Sequence, residues 1–134
     1  MKSDRAERVH VLFVEDEFLI SEWVTQALSE QGFCVQAVST AGRALTALRS
    51  APVDVLFTDI NLPGDMDGVA LARRAREMQP HLPVVYASAR TQMLDPAERV
   101  PGSTFIAKPY EPLVVGRLLT AAVRKSATAE TVPA

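Results

Sequence analysis

Four short polar signals, each directly after an apolar run, constrain this chain more than any other feature of its sequence. The runs are VHVLFV, VDVLFT, PVVYA and STFIA, and they are followed by Glu15-Asp16, Asp59, Ser88 and Lys108. Short apolar runs rich in β-branched residues are typical of strands that are covered on both faces. If the four runs are neighbouring parallel strands, three carboxylates, a hydroxyl and an ammonium group meet at one edge of one sheet.

Strand and helix signals alternate five times along the chain. The predicted strands are 9–14, 33–38, 53–58, 84–87 and 103–107, and the predicted helices are 18–30, 41–49, 68–78, 95–101 and 111–124. Thr40 and Asp67 precede two of the helices as N-caps, and Gly32 ends the first one. Trp23 is interpreted as a core-facing anchor of that helix. This order predicts an α/β fold with a doubly wound, five-stranded parallel sheet flanked by five helices.

Length and composition set the broad class of the protein. The 134 residues fit one domain, predicted over 9–124, with an N-terminal arm (1–8) and a flexible C-terminal tail (125–134). A net charge of -2 gives no general attraction to nucleic acid or to an acidic membrane. The single cysteine, Cys34, suits a reducing compartment, and the charged start MKSDRAER lacks the apolar segment of a signal peptide. We therefore expect a cytoplasmic protein.

The motifs that follow the strands resemble a known family. They are VEDE at 14–17, TDINLP at 58–63, ASA at 87–89 and KPY at 108–110. Together they resemble the receiver domain of two-component response regulators, including its stand-alone, single-domain type, over residues 9–124. The resemblance implies a flavodoxin-like (βα)5 fold, in which ligands bind outside the carboxyl ends of the strands.

The resemblance also implies a phosphorylation site. Asp59 would be the nucleophile that takes a phosphoryl group, and positioning and electrostatics dominate such a transfer. The implied cofactor is Mg²⁺, which prefers oxygen ligands and keeps several waters. Asp16 and Asp59 would bind it directly, Glu15 would act through water, and the backbone carbonyl of Asn61 would add a ligand.

Four further residues complete the site that the resemblance implies. Lys108 carries a compact charge suited to pairing with an acyl phosphate, and Ser88 offers a hydroxyl donor to a phosphoryl oxygen. In the family, this hydroxyl moves toward the phosphoryl group and an aromatic side chain of the fifth strand turns inward. Phe105 matches that aromatic position. Because phenylalanine has no hydroxyl to solvate, its inward state is expected to be favoured even without phosphate. Pro109 matches a cis peptide bond of the family.

The chain departs from the family pattern at two places in the site. Glu15 is one methylene longer than the commoner aspartate, which puts its role at the metal in question. The loop LPGDMDG is one residue longer than usual after Pro63.

The final helix carries a wider apolar surface than one sheet face requires. Its apolar residues cover roughly 200° of a helical wheel, against a stripe of about 100° for a helix that covers one sheet face. They are Ala121, Val114, Leu118, Ala122, Val115, Leu119 and Val123. The excess indicates either a homodimer or partner surface, or contact with neighbouring helices.

Two other functional classes compete with a phospho-acceptor. An aspartyl-phosphate phosphatase would need a second acid two residues after the nucleophile, where this chain has Asn61. A pseudo-receiver would bind partners without phosphorylation, which the intact set of Asp59, Lys108 and Ser88 disfavours. The sequence favours a signalling protein that is not an enzyme beyond its own phosphorylation and dephosphorylation. Its expected partners are a sensor histidine kinase or a histidine phosphotransfer protein, and an unknown downstream protein.

Overall fold

The computed structural model describes residues 8–89, 95 and 97–131. One parallel sheet contains β1 (His10–Val14), β2 (Cys34–Val38), β3 (Val55–Asp59), β4 (Val84–Ser88) and β5 (Thr104–Ala107). The helices are α1 (Phe18–Glu30), α2 (Ala41–Ser50), α3 (Gly68–Met78) and α4 (Pro112–Thr131). The strand order is β2-β1-β3-β4-β5, which confirms the predicted doubly wound, five-stranded parallel sheet.

The central strand, β3, is buried along its whole length. It pairs with β1 on one side and β4 on the other, and the first pairing sets Phe13 opposite Phe57. These two rings stack with their centroids 5.0 Å apart. One face of the sheet packs against α1 and α4, and the other against α2 and α3. Burial on both faces explains why these strands appear in the sequence as continuous apolar runs.

Both predicted N-caps are confirmed. The side chain of Thr40 accepts a hydrogen bond from the backbone N–H of Arg43, and that of Asp67 accepts one from Ala70. Each satisfies one of the backbone donors that have no partner in the first turn of a helix.

The structure describes four helices, so the prediction of five is corrected. The missing helix was expected over 95–101, of which residue 96 lies outside the described residues. The side chain of Asp95 accepts from the N–H of Ala97, and the N–H of Val100 donates to the hydroxyl of Tyr86. The described residues 97–99 form turns and a bend because these donors bond to side chains and not to a helical ladder.

The last helix is longer than predicted. It continues from the expected end at about Arg124 to Thr131, because residues 125–131 contain no glycine or proline to stop it. The hydroxyl of Ser126 donates to the carbonyl of His81, 2.7 Å away, and holds this extension against the loop that precedes β4. Residues 125–131 are therefore helical. Within the described part of the chain, no helix has the length and apolar character needed to cross a bilayer.

The apolar surface of α4 is partly used inside the molecule. Val115 and Leu119 are fully buried, and Ala122 and Val123 pack against the same core. Val114 stays exposed at 43%. Contact with α1 and the sheet thus accounts for much of the wide apolar surface.

The prediction that Trp23 faces the core is wrong. Val24 and Leu28 are fully buried and fill the core-facing stripe of α1, whereas 56% of Trp23 is exposed. Successive helical residues point about 100° apart, so the residue before Val24 projects sideways from that stripe. Trp23 therefore lies at the surface, beside the turn that follows β5.

Gly68 fixes how α3 starts beneath the end of β3. Its N–H donates to the carbonyl of Ile60, 2.7 Å away. A β-carbon at this position would collide with the carbonyl oxygen of Asp59 and lie 2.9 Å from its carbonyl carbon. The absence of a side chain at Gly68 therefore lets the helix approach the residue that ends the central strand.

Replacing Gly68 by alanine should destabilise the protein by about 1–3 kcal/mol, because the added methyl group meets backbone that cannot turn aside. Gly42→Ala in the first turn of α2 is the matched control. A β-carbon there meets only the Thr40 hydroxyl oxygen, at 4.0 Å, so the better helix propensity of alanine should stabilise by about 0.5–1 kcal/mol. Urea unfolding of both variants tests the pair. Equal effects of the two substitutions would contradict the steric argument.

Candidate functional site

Three carboxylates meet at the carboxyl edge of the sheet, as the sequence predicts. Asp59 ends β3, and Glu15 and Asp16 directly follow the neighbouring strand β1. Carboxylate oxygens of all three residues lie within 4.8 Å of one another. Asp59 and the adjacent pair Glu15 and Asp16, which are at least 43 positions away in the chain, therefore form one acidic cluster.

Lys108 reaches this cluster from β5, the edge strand that lies two strands away from β3. It directly follows β5, and its Nζ lies 3.0 Å from Glu15 Oε1 and 2.9 Å from Asp59 Oδ1. Its backbone N–H donates to the carbonyl of Ser88, 2.7 Å away, and its peptide bond to Pro109 is cis. One ammonium group thus contacts two of the three carboxylates.

Both carboxylate oxygens of Glu15 have partners. Oε1 accepts from Lys108, and Oε2 accepts from the backbone N–H of Glu17 at 3.1 Å. The residue is only 2% exposed, whereas its neighbour Asp16 is exposed. The longer side chain of glutamate lets this position hold Lys108 directly.

The carboxyl group of Asp59 is buried beside both a positive and a negative charge, and its pKa is raised. The residue is 6% exposed, and its Oδ1 contacts the Lys108 ammonium without the geometry of a hydrogen bond. The pKa of Asp59 is raised from its ordinary 3.8 to about 7: burial is the largest cause, the contact with Lys108 opposes the rise, and Glu15 adds to it. Although burial lowers the pKa of Lys108, its contacts with Asp59 and Glu15 raise that pKa on balance.

The donor set suits a hard divalent cation. Three carboxyl groups against one ammonium leave an excess of negative charge, and Asp59 Oδ1 is a buried oxygen without a hydrogen-bond partner. Oxygen donors of this kind are the ligands that Mg²⁺ prefers. The close approach of the three carboxylates and the unpartnered oxygen of Asp59 therefore fit a small cation, and both are observed independently of the sequence pattern.

The remaining predicted residues lie around this cluster. Ser88 is buried at the end of β4, and Asn61 is exposed two residues after Asp59. Phe105 is partly buried and packs against the core cluster that contains Tyr86, its neighbour across β4 and β5. The structure thus places the predicted site residues at or beside one edge of the sheet. Phe105 lies further from that edge, on β5, three residues before Lys108.

Sequence reasoning missed Tyr110 as a site residue. Its ring packs against that of Phe57 with centroids 5.7 Å apart, and its hydroxyl is buried without a hydrogen-bond partner. Burial, together with the charges of Glu15 and Asp59, raises the pKa of the Tyr110 hydroxyl well above its ordinary value. The sequence signal was its place two residues after Lys108, at the end of the KPY motif.

Comparison with known proteins identifies the family. The family model of the response regulator receiver domain matches residues 11–120. The chain belongs to the response regulator receiver domain family. The transcriptional regulatory protein CseB of Streptomyces avermitilis is 34% identical over 122 residues, which are 90% of this chain and 51% of CseB. QseB of Escherichia coli O157:H7 is 32% identical over 120 residues, which are 88% of this chain and 54% of QseB. This receiver chain spans about half the length of these curated relatives.

Solved receiver structures share its fold. A response regulator receiver protein from Sinorhizobium medicae superposes with a TM-score of 0.84 at 30% identity, over 90% of this chain and 98% of that one. The chemotaxis response regulator CheY4 of Vibrio cholerae gives a TM-score of 0.77 at 24% identity, over 86% and 98% of the two chains. The second similarity supports the fold alone.

The raised pKa of Asp59 predicts a pH-dependent cost to stability in metal-free buffer. Between about pH 4 and 7 the folded protein keeps a proton that the unfolded chain has lost, so ionisation of Asp59 destabilises the fold as pH rises. Asp59→Asn should therefore stabilise the protein by about 1–3 kcal/mol at pH 8, below a limit of about 4 kcal/mol set by the pKa change. At pH 4 the gain should disappear.

Urea unfolding at both pH values measures this difference. Asp67→Asn is the matched control, because Asp67 is exposed and asparagine also caps helices well. A gain for Asp59→Asn that is the same at pH 4 and pH 8 would contradict the electrostatic explanation.

Removal of the two buried tyrosine hydroxyls should change the stability of the protein in opposite directions. Tyr110→Phe removes a hydroxyl without a partner and should stabilise the protein by about 1 kcal/mol. Tyr86→Phe removes the acceptor of the Val100 N–H, 3.1 Å away, and should destabilise by about 1–3 kcal/mol. Thermal and urea unfolding compare the two variants. Destabilisation by both would mean that the Tyr110 hydroxyl has a stabilising contact.

Proposed function

We propose that this receiver chain accepts a phosphoryl group on Asp59 from a histidine kinase or a histidine phosphotransfer protein, with Mg²⁺ as cofactor. Phosphorylation then controls its contact with a downstream protein. One observation carries the proposal: Asp59 ends the buried central strand inside a cluster of acids, with the Lys108 ammonium 2.9 Å from its carboxylate. This arrangement provides a nucleophile and the charges that phosphoryl transfer requires.

The acidic residues and Lys108 have different proposed roles in balancing the negative charge of the phosphoryl group. Asp16 and Asp59 would hold Mg²⁺ together with the backbone carbonyl of Asn61, and Glu15 would act on it through water. The bound ion supplies positive charge that offsets the charge of the phosphoryl oxygens. Lys108 pairs with the phosphoryl oxygens once the group is on Asp59. Its present contacts with Glu15 and Asp59 support this role, because they already hold the ammonium at the reacting carboxylate.

Ser88 and Phe105 form the proposed switch. The Ser88 hydroxyl donates to a phosphoryl oxygen, and Phe105 occupies the inward position. The partial burial of Phe105 against the core beside Tyr86 supports an inward state in the unphosphorylated protein. A phenylalanine loses little by this burial, since it has no hydroxyl to desolvate.

The proposal is limited to the role of the receiver chain. The curated relatives are named transcriptional regulatory proteins, and this chain matches about half of their length. The stand-alone arrangement, the cytoplasmic location, the absence of a nucleic-acid or membrane partner, and the division into 1–8, 9–124 and 125–134 stay predictions. A homodimer through α4 also stays a prediction, for which the exposed Leu113 and Val114 offer the surface.

Phosphorylation of Asp59 should require both the carboxylate and the metal. Wild-type protein incubated with Mg²⁺ and acetyl phosphate should gain one phosphoryl group, and Asp59→Asn should gain none. Omission of Mg²⁺ with a chelator present should reduce labelling at least tenfold, since the acidic cluster then repels the anionic donor. Intact-mass spectrometry measures each result.

Asp67→Asn serves as the control, because it removes a nearby exposed carboxylate that lies outside the acidic cluster. It should label as wild type does. The absence of label on wild type under conditions that preserve the fold would refute the proposal and favour a pseudo-receiver. Label retained by Asp59→Asn would place the acceptor elsewhere.

A further inference from the structure

A small cavity of about 190 Å³ lies at the amino edge of the sheet, on the opposite side from the acidic cluster. The end of α3, the loop before β4, the turn before β5 and the extension of α4 form its walls. Its charged and polar lining residues are Arg76, His81, Thr104, Lys125 and Ser126. No carboxylate lines it among the residues that the structure describes. None of the roles proposed above uses this cavity.

The guanidinium group of Arg76 is held in a fixed position at this cavity. Its Nε donates to the carbonyl of Leu82, 2.6 Å away, and its Nη2 donates to that of Pro101, 2.9 Å away. The two acceptors belong to the loop before β4 and to the turn before β5. A guanidinium group has five N–H donors. These two hydrogen bonds therefore leave three donors, on a group whose orientation is already set.

The positive charge of Arg76 has no counter-charge within the described part of the chain. The residue is half-buried, and burial lowers the pKa of its guanidinium group, while nearby Tyr86 opposes this effect. Arg74, on the same helix, is exposed, and its Nε lies 3.9 Å from a carboxylate oxygen of Glu77. A desolvated cation without a counter-charge costs free energy. An anion in the cavity would offset this cost.

Lys125 adds a second positive charge to the same cavity. It lies on the extension of α4, is exposed and forms no ion pair with any residue that the structure describes. The next residue, Ser126, donates its hydroxyl to the carbonyl of His81 and so fixes this turn of the helix beside the loop before β4. An ammonium group and a guanidinium group from distant parts of the chain thus line one small space.

We propose that this cavity binds a phosphate group, with Arg76 and Lys125 as its counter-charges and the hydroxyl of Thr104 as a further donor. A phosphate group carries about 1.5 to 2 negative charges at pH 7 and three acceptor oxygens, which matches two cations. A carboxylate would neutralise only one of them. The cavity has about the volume of six water molecules, so it admits one such group.

The bound phosphate would connect the extension of α4 to the body of the domain. Lys125 is on this extension, whereas Arg76 is tied to the loop before β4 and to the turn before β5. A ligand that binds only when both residues are in place stabilises the helical state of the extension. The site lies at the opposite edge of the sheet from Asp59, so its occupation requires neither Mg²⁺ nor phosphorylation.

A ¹H–¹⁵N NMR titration with inorganic phosphate tests the site. The buffer contains a chelator and no Mg²⁺, and sodium chloride keeps the ionic strength constant. The amide signals of Gly102 and Ser126 should shift and saturate with a dissociation constant of about 1 mM, as expected for two or three hydrogen bonds to charged groups. Hydrogen exchange of the amides in residues 125–131 should slow by up to about tenfold at about 10 mM phosphate.

Lys125→Gln should weaken binding about fivefold, which is the effect of losing one exposed ion pair. Because the side chain of Lys125 is exposed, this variant should fold as wild type does. Arg117→Gln is the matched control: Arg117 is exposed on the same helix and its replacement changes the net charge equally, but it does not line the cavity. This control should leave the dissociation constant within about twofold of the wild-type value.

A second titration, with glycerol 3-phosphate, identifies the source of the phosphate group. Binding at least about threefold tighter than that of inorganic phosphate assigns the site to an organic phosphate, and equal or weaker binding assigns it to the free ion. Both results support the proposal. Absence of saturating shifts at Gly102 and Ser126 would overturn it, as would equal weakening by Lys125→Gln and Arg117→Gln. Shifts confined to the signals of Ser88 and Lys108 would place the anion at the acidic cluster and overturn it too.

Discussion

The Lys108 ammonium is the contact on which the arrangement of the site depends. It follows β5, yet it contacts Glu15 after β1 and Asp59 at the end of β3. Without it, the three carboxyl groups, which lie within 4.8 Å of one another, would have no ion pair among the described residues. The parallel sheet makes the contact feasible, because all its strands end at the same edge. The fold therefore assembles charges whose balance a bound cation and a phosphoryl group can change.

The choice of glutamate at position 15 alters how that balance is kept. An aspartate would be one methylene shorter, whereas Glu15 reaches both Lys108 and the N–H of Glu17. Its carboxylate is thus held from two sides while almost fully buried. Asp16 is exposed and has no such commitments among the contacts described. The two neighbouring acids therefore differ: Glu15 contacts the ammonium, whereas Asp16 is open to solvent.

Sequence reasoning predicted the features that follow from local chemistry. Strands covered on both faces appear as apolar runs, and Thr40 and Asp67 cap helices as their short polar side chains allow. The meeting of Asp16, Asp59 and Lys108 followed from the common edge of parallel strands. Features that depend on tertiary packing were missed. Trp23 has the helical spacing of a core residue, but Val24 and Leu28 already fill that face. The tight approach of Gly68 to Asp59 leaves no sequence signal other than the glycine itself.

The length of α4 has a mechanical consequence. Twenty residues of helix span about 30 Å, whereas a five-residue strand spans roughly 17 Å, so this helix is longer than the strands that it packs against. It is fastened at both ends, since the side chain of Gln31 donates to the carbonyl of Pro112 and Ser126 donates to that of His81. A rod fixed at two distant points resists tilting. Its exposed apolar residues, Leu113 and Val114, are consequently held in a fixed orientation. A protein that bound there would not have to order this helix, which lowers the entropic cost of binding.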